Sequence, residues 1–145
     1  MAESESSDSK RDLTQVTAQE MLIDPELATE VFVFAFDLFE KDDFDGALPI
    51  LEKVEFALRQ QGDHQRAVLC VRSIAECLLH LGRYPESFEA IERVEQIGFD
   101  CEMDHIGVLR VKSEILHAMD KSTEAREVDE IIGRLQGRID NMDEK

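Results

Sequence analysis

Tryptophan is absent from this chain and tyrosine occurs once. Proline occurs three times and glycine seven times in 145 residues, and most of them fall at joints between apolar-periodic segments. So few breakers leave room for long helices. Period-2 alternation is scarce, whereas apolar residues recur widely every three to four positions, which predicts an all-α fold. Basic residues are also scarce, with 16 Lys and Arg against 33 Asp and Glu and a net charge of −17. That surplus of acid repels a phosphate backbone and an anionic membrane surface, so nucleic-acid and lipid binding are not expected. The longest apolar run, residues 31–36, is far below the roughly 18 residues a membrane span needs. The opening MAESESSDSKRD carries no apolar core of a signal peptide.

Cysteine is likewise sparse, at positions 70, 77 and 101. Cys70 and Cys77 stand two helical turns apart, about 10 Å by helix rise, too far for a disulfide. With no framework spacing and no C-x-x-C pair, the cysteines read as small apolar core residues in a reducing, cytoplasmic setting. Neither a metal site nor any cofactor is expected. No Gly-rich phosphate loop, G-x-S-x-G elbow or H-E-x-x-H pattern occurs, so no enzymatic role is expected.

Hydrophobic content of 43% in 16.6 kDa supports one domain with a real core. Residues 1–12 are expected to be a disordered acidic tail. Thr17 with Glu20 forms a capping box for a short helix over 13–23. Asp24 and Pro25 suit the N-cap and first turn of a helix over 25–40. Further helices are predicted over about 44–60, with Pro49 near the first turn, 63–81, 85–97, 101–119 and 122–140, leaving 141–145 as a tail. Gly62, Gly82 and Gly98 are read as stops. Gly133 and Gly137 are expected to weaken the last helix.

The domain over 24–140 then divides into three alike units, about 28–61, 63–98 and 101–138. Phe44, Asp45, Gly46 and Ala47 align with Tyr84, Pro85, Glu86 and Ser87, and with Ser122, Thr123, Glu124 and Ala125. First helices carry large apolar residues around a small one: Val31, Phe34, Leu38 around Ala35; Val71, Ile74, Leu78 around Ala75; Leu109, Leu116 around Ser113. Second helices carry Ala47, Leu51, Val54 and Ser87, Ile91, Val94, then Ala125 and Ile132. Lys112 in the first helix, and Ser122 and Asp129 in the second, break the third unit's pattern.

With the turn His80, Leu81, Gly82, Arg83, Tyr84, these features resemble the tetratricopeptide repeat (TPR) family over about residues 28–135. The units start 40 and 38 residues apart rather than the common 34. That spacing is similar to the longer-helix repeats of kinesin light chains. The resemblance implies a right-handed superhelical stack of three helix hairpins plus the short N-terminal helix. It also implies a concave groove lined by the first helices. The groove positions are Thr29, Phe32, Phe36, Phe39 and Glu40; then Leu69, Arg72, Glu76, Leu79 and His80; then Gly107, Arg110, Glu114, His117 and Ala118. One end is aromatic, the other charged. The family's carboxylate clamp uses Lys and Asn at such places, and the single Asn here, at 141, lies outside them.

The resemblance implies a small adaptor that binds a peptide or helix of a protein partner. Phe32, Phe36 and Phe39 would be anchors, with Arg72 and Arg110 as polar fixers. Two rival readings stand beside it. One is a dedicated client chaperone resembling the class II chaperones of type III secretion. The other is a structural subunit that forms a homodimer through its C-terminal helix pair, with Val128, Ile131, Ile132 and Leu135 partly exposed. The phenylalanine cluster is either covered by segment 13–27 or exposed for a partner. The expected outcome is a removable lid: five large apolar residues over 13–23 dock on the Phe32, Phe36, Phe39 face, and their gain of about 4–7 kcal/mol only offsets ordering costs.

Overall fold

The computed structural model describes residues 12–97 and 102–143. Expectations for the tail over 1–11, for Gly98 and for Cys101 lie outside the described residues. A 3-10 turn, Leu13–Gln15, precedes seven helices: α1 (Ala18–Ile23), α2 (Pro25–Glu40), α3 (Phe44–Gln60), α4 (His64–His80), α5 (Tyr84–Ile97), α6 (Glu102–Ala118) and α7 (Ser122–Asp143). The described residues contain no strand, and the all-α expectation holds.

Local chemistry sets the starts. The Thr17 hydroxyl accepts from the Glu20 amide while the Glu20 carboxylate accepts from the Thr17 amide, the reciprocal box expected. Asp24, Asp43 and Asp63 cap α2, α3 and α4 in turn. Pro49 sits in the second turn of α3 rather than near its first; the helix runs on through it, with the ring exposed.

The stops share one geometry. After α2, α3, α4 and α6 the chain takes one left-handed residue: Asp42, Gly62, Gly82 and Asp120, with φ of 63°, 82°, 78° and 62°. In each case the next amide reaches back to the carbonyl five residues earlier, as Asp43 does to Leu38 and Lys121 to Leu116. This is the Schellman closure. Glycine takes that φ freely at 62 and 82, and aspartate tolerates it at 42 and 120.

Each helix packs on the next in sequence, α2 on α3 through to α6 on α7, and α4 also touches α6. Small buried residues bring partners close. Ala35, Ala47 and Ala75 are fully buried, and so is Ser87, whose hydroxyl donates to the Ala75 carbonyl at 2.6 Å. α6 buries two faces. Val108, Val111 and Ile115 join the main core of α1–α5, while Ile106, Leu109 and Leu116 join Ala125, Val128 and Leu135 of α7 in a second cluster. Val128 and Leu135 are therefore buried, against the expectation of partial exposure, because α7 lays this stripe on α6; Ile131 and Ile132 remain half-buried.

The N-terminal segment is not placed over the phenylalanine face. It runs along α3, where the Lys53 ammonium donates to the Thr14 carbonyl at 2.9 Å and the Gln61 amide donates to the Met21 carbonyl at 2.8 Å. Val16 and Met21 are 0% exposed within the main core. The physical reason is that α3 offers both polar partners and an unfilled apolar edge beside α2.

Candidate functional site

The face built from α2, α4 and α6 collects most of the residues singled out from sequence. On α2, Phe32, Phe36 and Phe39 fall on one flank of the helix at offsets of four and three. All three are half-buried and pack against the core edge. Their rings form a chain: Phe32 to Phe36 at 4.8 Å, Phe36 to Phe39 at 6.3 Å, and Phe39 to Phe44 of α3 at 5.7 Å. These tilted and edge-on contacts suit the ring quadrupoles. Phe44 then stacks on His80 of α4 with centroids 4.4 Å apart and planes 2° from parallel. At the other end the Arg66 guanidinium lies over Phe32, donates to the Thr29 hydroxyl at 3.0 Å and pairs with Asp63 at 2.7 Å. The aromatic row is thus held between α2 and α4 at both ends. Phe44 and Arg66 were not singled out as site residues. Phe44 counted only as a helix-opening aromatic, and no local pattern marks Arg66.

Beyond α4 the character changes to charge. Leu69 and Leu79 are half-buried on α4, as are Arg72 and Glu76. The Arg72 guanidinium lies against the backbone of Gly107 on α6, where any Cβ would overlap it. A side chain at 107 would displace the flexible guanidinium end of Arg72. Burial pushes the Glu76 carboxyl above the ordinary range; the Glu114 charge on α6 adds to this, while Arg72 and His80 oppose it. Glu76 therefore binds protons more readily folded than unfolded. Its contribution to stability is full at low pH and is lost as pH rises through its raised pKa. Glu76→Gln is expected to raise the thermal midpoint near neutral pH and to leave it unchanged in acid below the carboxylate range. Melting curves at the two pH values check this, and equal shifts at both would contradict it.

The far end of the face is polar. Arg110 donates to the Gln136 side chain at 3.3 Å. His117 faces α7, with Nε2 3.5 Å from Asp129, and so does not join the aromatic row. The Ser113 hydroxyl donates to the same carboxylate at 2.6 Å, and this bond holds the Asp129 carboxyl below its usual value, with His117 adding to it. Two of the residues that break the third unit's pattern, Asp129 and Lys112, are thereby satisfied across helices. Asp129 takes Ser113 and His117, and Lys112 pairs with Glu95 of α5 at 2.8 Å while lying over Phe88. Between α6 and α7 lies an open cavity of about 470 Å³, lined by Arg110, Ser113, Glu114, Asp129, Ile132, Gly133 and Gln136.

Cys70 and Cys77 are free and buried, and burial raises both thiols, Cys77 to about 12. Such thiols carry almost no thiolate at neutral pH and are chemically inert. Among the described residues no group of three His, Cys, Asp or Glu could hold a metal ion, and no helix is long and apolar enough to cross a membrane. No family model matches the chain, and neither a search of curated proteins nor one of solved structures finds a match.

Proposed function

We propose that the three hairpins form a tetratricopeptide-type stack and that the chain is a small adaptor, binding rather than catalytic. A peptide or helix of a protein partner lies along the face of α2, α4 and α6. One observation carries this reading: a chain of half-buried rings, Phe32, Phe36, Phe39 and Phe44, runs along that face and ends on His80. Such a row offers apolar and π surface that no other described element covers fully. Rigid aromatic anchors of this kind dominate binding energy when a partner completes their burial. The alignment of small and large residues along successive hairpins supports the stack, and the equal closures at Asp42, Gly62, Gly82 and Asp120 support its regularity.

Affinity capture of the tagged full chain from its own cells, followed by mass spectrometry, tests the reading. Phe36→Ala combined with Phe39→Ala is expected to lower capture of the specific partner by at least about tenfold, the scale of a hot-spot truncation. Circular dichroism confirms that the variant is folded. Undiminished capture by the folded double variant rejects the face.

A further inference from the structure

The phenylalanine row has a bank of one sign. From Thr29 through Phe32 and Phe36 to Phe39 the offsets are three, four and three, the spacing at which one helix meets another along a continuous seam. Beside that seam, on the solvent side of α2, stand Glu26, Val33 and Glu40, and one row further out Glu30 and Asp37. All five are exposed, Val33 by 60%. α2 itself carries no basic residue, and Lys41, which follows it, is taken by Asp37 at 2.8 Å. Among the described residues no ion pair or side-chain hydrogen bond engages the carboxylates of Glu26, Glu30 and Glu40. The α4 bank differs. There Arg66 pairs with Asp63, Arg72 acts on Glu76, and Leu69 and Leu79 add half-buried apolar surface. The uncompensated charge along the row therefore lies on the α2 side alone.

Two independent features choose the occupant. Half-buried rings at helical spacing call for apolar side chains at matching spacing, which an amphipathic helix supplies. The acidic bank calls for cations beside that apolar stripe. We propose that the partner segment is a basic amphipathic helix, with its apolar stripe on Phe32, Phe36 and Phe39 and its Lys or Arg residues along α2. This rests on the adaptor reading and gives its partner a chemistry. The aliphatic stems of those basic residues cover Val33, while their charged ends reach Glu26, Glu30 and Glu40. A second copy of this chain is disfavoured on the same face. It would set the same four carboxylates against one another, between two chains of −17 each. The balanced α4 bank asks for no charge, so the basic residues belong on one flank of the partner helix.

The test is calorimetric titration of the full chain with two synthetic helical peptides of about 18 residues, sharing one leucine stripe at offsets of three and four. One carries Lys on its flanks and the other Glu. The Lys peptide is expected to bind, and the Glu peptide at least about tenfold more weakly. Changing Glu26, Glu30 and Glu40 together to Gln should weaken the Lys peptide about tenfold. The same change at Glu92, Glu127 and Glu130, exposed on α5 and α7, should leave it within about twofold. Both triple variants lose the same charge, so the comparison separates the bank from the field of the whole chain. Glu30→Lys with Glu40→Lys should turn the preference towards the Glu peptide, and Phe36→Ala should weaken the Lys peptide about tenfold. Equal binding of the two peptides overturns the proposal, as does no binding of the Lys peptide up to about 1 mM. Equal losses in the two triple variants overturn it as well. So does a dimer in sedimentation that Phe36→Ala dissociates, since a second copy then holds the face. If the charge arms fail while Phe36→Ala with Phe39→Ala still abolishes partner capture, the basic helix falls and the adaptor reading stands. If the charge arms succeed but capture survives the double variant, the adaptor reading falls and this assignment with it.

Discussion

Met21→Ala is expected to lower the unfolding free energy by about 2–5 kcal/mol, the cost of emptying a fully buried thioether site. Met21 is 0% exposed and shares the main core with Val16, Val31 and Leu58. Its own carbonyl accepts from the Gln61 side chain, which fixes the end of α1 against α3. A void there has little means of closing, because the segment is tethered by Lys53 at Thr14 in the 3-10 turn and by Gln61 at Met21 in α1. Removing residues 1–23 takes away Val16 and Met21 together and uncovers α2 and α3, so it should lower the thermal midpoint sharply. Urea unfolding followed by circular dichroism measures both. A deletion variant that melts with the full chain would mean that the segment is a detachable cover after all.

The second large effect concerns Glu55, the one buried carboxylate among the described residues. Glu55 on α3 has a side chain only 5% exposed, paired with Arg59 at 2.8 Å and reached by Arg93 of α5 at 3.7 Å. The two arginines are 41% and 49% exposed, so solvent screens each of them. Either Arg59→Ala or Arg93→Ala alone should cost about 1 kcal/mol. Together they leave a buried charge without a partner, and the expected loss rises to the order of 3 kcal/mol. That non-additivity is the signature of a shared carboxylate. Adding Glu55→Gln to the double variant should recover most of the loss, since a neutral amide is far less costly to bury than an unpaired charge. Denaturation midpoints of the four variants and the unaltered chain decide it. Strict additivity, or no recovery with the amide, would show that the arginines act through packing alone.

Helix positions were legible because their signals are local. The capping box at Thr17 and Glu20, the aspartates at 24, 43 and 63, and the glycines at 62 and 82 act within one turn of themselves. The aromatic run was equally legible, since offsets of three and four put Phe32, Phe36 and Phe39 on one flank without any tertiary information. What fell outside reach depended on which helix lies beside which. Arg93 for Glu55, Glu95 for Lys112, and Ser113 and His117 for Asp129 stand 12 to 38 residues away on other helices, and no local pattern announces them. Asp129 and Lys112 looked like faults in a repeat; in the fold each is a satisfied contact.

The N-terminal segment shows the same division most clearly. Its helix, cap and apolar spacing follow from residues 17–25 alone, because they depend on backbone groups a few atoms away. Its destination does not. Two apolar surfaces were open to it, the phenylalanine flank of α2 and the edge of α3, and hydrophobic burial by itself is non-directional. Lys53 and Gln61 choose the second by donating to backbone carbonyls at Thr14 and Met21. Those donors stand 39 and 40 residues along the chain, so only the packed helices bring them into range. The phenylalanine row remains half-buried.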